Sequence, residues 1–189
     1  KIFTLFIVLL SKYGKCDEIS SKCPKIITKK QWEGRRATNV EYQTVRPVKY
    51  VIINHTASNK CDTKSTCSEI VKNIQDYHMS SLGYDDIGYT FLIGNDGNVY
   101  EGCGWHKIGA HTYGYNSKSI GIAFIGNFQD ELPTHKALKA AKKLLECAIE
   151  MGELDNYYEL YGFRQIHASL SPGQKLYEEI KEWDHWERL

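Results

Sequence analysis

Apolar positions recur along this chain with two different spacings, and each change of spacing marks a new element. Residues 48–53 (VKYVII) are apolar and β-branched, the composition of a strand buried in a sheet. Thr66 followed by Glu69 has the form of a capping box, and Ile70, Ile74 and Tyr77 then return at helical spacing. That predicts a helix running to about Ser80. Residues 89–93 (YTFLI) and the pair Val99-Tyr100 flank Asn95-Asp96-Gly97-Asn98, a hairpin signal. Residues 120–125 (IGIAFI) predict another buried strand. Pro133 and Thr134 open a helix that carries Ala137, Leu138, Ala141, Leu145, Ala148 and Ile149 and that Gly152 closes. Pro172-Gly173 leads into a last helix with Leu176, Tyr177, Ile180 and Trp183 on one face. Strands and helices interleave without a repeat or linker to divide them. The fold class is α/β: a mixed central β-sheet flanked by about three helices.

The first residues follow neither spacing. Residues 2–10 (IFTLFIVLL) are apolar except for Thr4, and Lys1 precedes them. Such a run is too short to cross a bilayer as a helix, which takes about 20 residues. It matches the apolar core of a signal peptide, with Gly14 as the small residue before cleavage. The expected organisation is a signal peptide over 1–14, an N-terminal segment over 15–22 and one domain over 23–189, secreted and extracellular, with no membrane span.

Charge removes two classes of partner. With 24 Lys and Arg against 23 Asp and Glu, and no basic stripe, neither nucleic acid nor an anionic membrane is expected. Tyrosine, at 13 residues, is abundant enough to line a carbohydrate or peptide groove as well as a core. Six cysteines fit an oxidising compartment. Cys61 and Cys67, close together in a polar loop, suggest a local disulfide; Cys23 and Cys147 are candidates for a long-range one. The loop-entropy model gives about 2 kcal/mol for the short bridge and about 5 kcal/mol for the long one. Cys16 and Cys103 remain, and their pairing is open. No C-x-x-C pattern points to a structural zinc.

Loops at the ends of buried strands are where such sheets place their chemistry. His55 directly follows the first strand, His78 ends the first helix, Tyr89 begins the hairpin, and His111 lies in a Gly/His/Tyr-rich stretch, Gly109-Ala110-His111-Thr112-Tyr113-Gly114-Tyr115. Each alone is more often structural than functional. Four at element ends make a groove the better reading.

Several motifs in combination resemble the peptidoglycan recognition proteins, relatives of the zinc-dependent N-acetylmuramoyl-L-alanine amidases. They are Val51-Ile52-Ile53-Asn54-His55-Thr56-Ala57, Asp86-Ile87-Gly88-Tyr89, Tyr100-Glu101-Gly102-Cys103-Gly104-Trp105, Gly121-Ile122-Ala123-Phe124-Ile125-Gly126-Asn127-Phe128, Ser171-Pro172-Gly173 and Trp183-Asp184-His185-Trp186. The resemblance runs from Cys23 to Trp186 and looks nearest to the short secreted receptors of insect immunity. It implies an amidase-like fold in which catalytic members hold zinc with two His and one Cys. The first ligand position is kept here as His55, but the second is Phe163 and the third is Ser171. One strong ligand of three should not hold catalytic zinc. No cofactor and no catalytic residue are therefore expected. Tyr89 matches the tyrosine that assists the amidase, Ser169 stands where its Thr partner is usual, and His167 is a weak stand-in ligand because it lies four residues past Phe163.

The same resemblance implies that His55, Thr56, His78, Tyr84, Tyr89, His111 and Ser169 line a groove for a muramyl peptide. Imidazoles and hydroxyls suit sugar and peptide hydrogen bonds, and aromatic faces suit apolar sugar edges. Gly83-Tyr84 is close to the pattern of diaminopimelate binders, but Cys103 stands where those relatives carry an Arg. Losing that cation leaves a ligand carboxylate unpaired, which favours lysine-type peptidoglycan. Asp85 replaces a Cys common in relatives. Asn54-His55-Thr56 is formally a glycosylation sequon at a buried strand end, expected to stay unmodified. The implied function is a secreted, non-catalytic pattern-recognition receptor of innate immunity that passes its signal to a co-receptor or serine protease of an extracellular cascade. Two other readings stand beside it: a residual zinc amidase or stem-peptide hydrolase, and an antibacterial protein that coats cell walls.

Overall fold

The computed structural model describes residues 23–189; the expected signal peptide, the segment after it and Cys16 lie outside them. The elements follow in the order β1 (Ile26–Ile27), β2 (Val48–His55), α1 (Lys64–Ser80), β3 (Phe91–Ile93), β4 (Val99–Glu101), β5 (Ser119–Phe124), α2 (His135–Glu150), β6 (Leu154–Gly162) and α3 (Gln174–Ile180). They build one six-stranded sheet in the order β1-β4-β3-β5-β2-β6. The β3–β4 hairpin is antiparallel, whereas β1 with β4, β3 with β5, β5 with β2 and β2 with β6 run parallel. The sheet is mixed and three helices flank it, as expected.

Sheet alternation divides the interior in two. Val51 and Ile53 of β2, Phe91 and Ile93 of β3, and Ile120, Ile122 and Phe124 of β5 pack with α2 and α3 through Ala137, Ala141, Leu144, Leu176 and Ile180. Leu92, Tyr100, Ala123 and Ile125 belong to the opposite cluster, with Cys67 and Val71 of α1 and with Trp32. Tyr50, Ser119 and Gly121 belong to neither cluster.

Three local expectations change. The capping box of α1 lies one turn early: Thr63 is the N-cap, its hydroxyl accepts from Thr66 N at 3.2 Å, and Thr66 reciprocates in place of a Thr66–Glu69 pair. The buried stripe of α1 is Cys67, Val71 and Gln75; Ile70 and Ile74 pack at its side, and Tyr77 is 56% exposed. The Cys61–Cys67 disulfide turns that stripe inward, and the Gln75 amide is satisfied by Arg35 N, Arg35 O and Asp86. Finally, α3 ends at Ile180, although Trp183 is still buried in the turn that follows.

Strands β1 and β6 are additions. Two residues are too few to show a period. In β6 (LDNYYELYG) three polar side chains interrupt the run, yet Tyr158 and Leu160 reach the α2 side. Cys23–Cys147 and Cys61–Cys67 are both disulfides, separated by 124 and 6 residues, and Cys103 is a free, buried thiol. The first bridge fastens the chain ahead of β1 to α2 on the far side of the sheet.

Candidate functional site

His55 ends β2 beside the end of β6, because Ile53 pairs with Gly162. Its backbone N–H donates to Ser171 Oγ at 3.1 Å, and the Ser171 hydroxyl donates to Asn54 Oδ1 at 3.4 Å. Directly after Phe163, Arg164 N–H donates to Ser171 O at 2.8 Å. Positions 55, 163 and 171 therefore meet at one place although 116 residues separate the outermost pair. Ser169 joins them by accepting from Ser171 N–H at 3.1 Å. The side chains gathered there are one imidazole, one phenyl ring and two hydroxyls. His55 Nδ1 accepts from Phe128 N–H at 3.2 Å, which leaves Nε2 as its free ring nitrogen. That donor set does not fit zinc, which needs three nitrogen, thiolate or carboxylate ligands. His167 does not complete it: its ring lies 5.2 Å from that of Phe163, and its Nε2 is 3.3 Å from Tyr113 O. Among the described residues no three His, Cys, Asp or Glu side chains are grouped to hold a metal.

A second group forms around the end of α1. His78 Nδ1 accepts from Gly88 N–H at 2.9 Å, which fixes the ring, and its centroid lies 5.4 Å from Tyr84 and 5.6 Å from Tyr89. Ala110 N–H donates to Gly88 O at 2.9 Å, and Thr90 N–H donates to Gly121 O at 2.9 Å. These bonds bring the loop before β3, the loop of residues 109–115 and strand β5 together. The His111 ring lies flat on Gly121, where an added Cβ would come within 2.3 Å of ring atoms. Glycine at 121 is therefore required for the close approach of backbone and imidazole. Gly121 faces Ile52, and His55 lies three residues further along β2, about 10 Å at strand rise. His167 Nε2, from the segment that carries Phe163 and Ser171, lies 3.3 Å from Tyr113 O in the His111 loop, so the two groups adjoin at that contact.

Burial sets the charge of this surface. His55 and His111 are each held down to about 4, His55 by desolvation and then by the nearby Arg164 guanidinium, His111 by desolvation alone. His78 is also lowered by burial, with Asp86 opposing. Tyr89 is pushed up to about 12 by burial and then by Tyr84. At neutral pH His55, His78 and His111 present neutral imidazoles beside the neutral Tyr89 phenol, a hydrogen-bonding set. Within it His111 Nδ1 is 2.9 Å from Thr112 Oγ1, while its buried Nε2 has no partner among the described residues.

Two expected groove residues also serve as structure. The Thr56 hydroxyl accepts from Gly126 N–H at 2.9 Å and lies 2.7 Å from Ser58 Oγ, bracing the loop after β5. Cys103, its thiol pushed up to about 12 by burial and then by Asp86, lines a cavity of about 290 Å³ with Tyr84, Asp85 and Lys107. His55, His78 and His111 do not line that cavity. Sequence reasoning missed Gly121 as a seat for His111 and Phe128 N–H as the anchor of His55. It also missed buried Glu153, whose carboxylate meets His106 at 3.0 Å and Arg46 at 3.3 Å at the base of the 106–115 loop. Only the glycine carries a sequence signal, a small residue inside an otherwise β-branched run.

Comparison with known proteins agrees with this geometry. Residues 44–175 match the family model described as N-acetylmuramoyl-L-alanine amidase. The chain is 51% identical over 178 residues to Peptidoglycan-recognition protein 2 of Holotrichia diomphalia, covering 94% of this chain and 95% of that one. It is 49% identical over 183 residues to Peptidoglycan-recognition protein SA of Drosophila melanogaster, covering 96% and 90%. The solved Drosophila PGRP-SA superposes with a TM-score of 0.85 at 52% identity, over 87% of this chain and 95% of that one. PGRP-LE, solved in complex with tracheal cytotoxin, a monomeric diaminopimelic acid-type peptidoglycan, superposes with a TM-score of 0.85 at 41% identity, over 87% and 96%. Motifs, sheet order and these likenesses agree: the chain belongs to the peptidoglycan recognition protein family, on the amidase-like fold.

Proposed function

We propose that this protein is a secreted, non-catalytic receptor that binds the muramyl-peptide unit of bacterial peptidoglycan and signals to an extracellular serine-protease cascade. The observation that carries the non-catalytic part is the donor set at the end of β2, where His55 is joined by Phe163 and Ser171. Without three strong ligands there is no metal to activate water, and a hydroxyl bonded to Asn54 does not replace a thiolate. Binding needs none of this. His55 Nε2 and the rings of His78, Tyr84 and Tyr89 offer hydrogen bonds and faces to a sugar and its stem peptide. Cys103, buried where a cation would pair a diaminopimelate carboxylate, supports a preference for lysine-type stems. Two disulfides support an oxidising, extracellular location, and no helix among the described residues is long and apolar enough to cross a membrane.

The test joins metal analysis to product analysis. The purified protein should be pulled down by insoluble peptidoglycan in the presence of a chelator and release no soluble fragment. Stoichiometric zinc together with released stem peptide would overturn the receptor reading in favour of an amidase; released peptide without metal would point to a stem-peptide hydrolase. Killing of bacteria by the protein alone would favour the cell-wall-coating reading.

A further inference from the structure

Charge is nearly balanced over the whole chain, yet helix α2 carries a basic stripe that the balance conceals. His135, Lys136, Lys139, Lys142 and Lys143 are all exposed. At about 100° per residue they share one side of the helix, opposite Ala137, Ala141, Leu144 and Ala148, which are buried against the sheet. The order of charges opposes the helix dipole. The first turn holds no acid and the last turn no base, while Glu146 and Glu150 come near the C-terminal end. Helix stability favours the reverse order and so does not account for the stripe. Lys139 and Lys143, four residues apart, also repel each other. The Lys142 ammonium lies 3.9 Å from Glu179 Oε1 and 4.9 Å from the Trp183 ring, whereas Lys139 and Lys143 make no ion pair among the described residues. Beside them is a cleft of about 660 Å³ whose apolar lining is Leu132, 47% exposed, with Pro133 and Leu138, and whose charged lining includes Lys139 and Lys143. One end of it is firmly held: Thr134 N–H donates to Asn95 Oδ1 at 3.1 Å and Thr134 Oγ1 to Asn95 O at 2.9 Å. The cleft lies across the sheet from the groove. His111 rests on Gly121, whose neighbours Ile120 and Ile122 point the other way, into the core under α2. An occupant on α2 therefore leaves the groove open.

We infer that this cleft docks an acidic segment of a protein partner, which sets an apolar side chain on Leu132 and Leu138 and carboxylates beside Lys139 and Lys143. The inference rests on one part of the reading above, that the protein signals through a partner, and gives that partner a place. The lining decides the class of occupant. Lysines alone would suit any polyanion, but a phosphate polymer has nothing to set on Leu132 and Leu138. An apolar patch beside charged groups is the anatomy of a protein interface. Exposed charge pairs act mostly on association rate and selectivity, so the contact should be sensitive to salt.

The probe is a fluorescein-labelled peptide of glutamates around one central leucine, titrated with the protein and read by anisotropy without peptidoglycan. It should bind at low salt and weaken about fivefold at physiological salt. Lys139→Glu with Lys143→Glu should weaken it about tenfold, and Leu132→Ser about threefold. The same reversal at Lys30 and Lys72, exposed positions away from α2, should change it by less than about twofold. All three variants should still be pulled down by peptidoglycan like the unmodified protein. Equal loss from the two reversals would overturn the inference, and so would equal binding of a polyglutamate that lacks the leucine. Binding that appears only once residues 15–22 are removed would overturn it too, by assigning the cleft to the chain's own Asp17 and Glu18. Dimers that compete with the peptide would assign it to a second copy, with the same result. Failure of the unmodified protein to bind peptidoglycan counts against the receptor reading alone, and the peptide titration still decides the cleft.

Discussion

Acidification should destabilise this protein through its two most buried imidazoles, and one substitution isolates the contribution of His111. That side chain is 8% exposed, lies against Gly121 and is held down to about 4 from 6.5. Above pH 6.5 it is neutral in both the folded and unfolded chain and contributes no pH dependence. Between 6.5 and 4 the unfolded imidazole takes a proton that the folded one refuses, so the unfolded state is favoured and stability falls as pH falls. Below 4 both are protonated and the loss levels off. From pH 7 to pH 5 the linkage amounts to about 2 kcal/mol for His111, and His55, shifted the same way but better screened by solvent, adds less. His111→Asn keeps a short polar group near Thr112 and removes the titration. Urea unfolding at both pH values supplies the measurement. The variant should lose about 2 kcal/mol less than the unmodified protein between pH 7 and pH 5, with an unchanged m-value. An equal loss in both proteins would show that the His111 ring is not desolvated on Gly121, and the assigned geometry of the groove would fall with it.

Other expectations follow from separate parts of the molecule. His111→Ala should weaken pull-down by peptidoglycan by about tenfold while the protein stays folded; unchanged binding would remove the residue from the groove. Phe163→His combined with Ser171→Cys restores three zinc-type donors around one point, and metal analysis after dialysis should find about one zinc per chain in the double variant only. Replacing Cys23 and Cys147 by Ala should cost about 5 kcal/mol, against about 2 kcal/mol for Cys61 and Cys67, because the first pair closes 124 residues and the second 6. Chemical denaturation of the two double variants checks the ranking. Glu153→Ala removes the carboxylate that meets the half-exposed Arg46 and His106 at the base of the groove loop and should lower stability by about 1 kcal/mol; no measurable loss would show that the carboxylate is not the anchor of that loop.

The sequence was most legible where one physical rule dominates locally. Strands β2 and β5 are central and buried on both faces, so their apolar runs carry the signal directly, and α2 is both amphipathic and bounded by Thr134 and Gly152. The edges were less legible. Strand β6 has one neighbour and tolerates Asp155, Asn156 and Glu159, and β1 owes its two residues to pairing with β4 rather than to any pattern of its own. On α1 the rule that failed was periodicity, because a disulfide and a buried glutamine amide chose the inward face over the stripe of isoleucines. The site followed the same division. His55, His78, Tyr89 and His111 were visible as residues at element ends, whereas what fixes them is backbone: Phe128 N–H, Gly88 N–H and the bare surface of Gly121. Backbone donors have no letter of their own in a sequence.

That dependence on backbone means that the shape of this end of the sheet rests on protein contacts. In a zinc centre the ion itself holds its ligands in place. Here the same three positions are held by other means. His55 is bonded through Nδ1 and through its own N–H, Ser171 is tied to Asn54, Ser169 and Arg164, and Phe163 packs beside His167. None of these contacts needs a cation. The far side of the sheet, sealed by α2 and α3, is indifferent to the exchange, because its core uses the opposite face of the same strands. Substitution at 163 and 171 therefore alters the chemistry of the groove end without touching the scaffold. It leaves neutral imidazoles and tyrosines along a surface suited to holding a sugar and its peptide. The division of labour between the two faces lets the residues at 163 and 171 vary while the core behind the sheet stays packed.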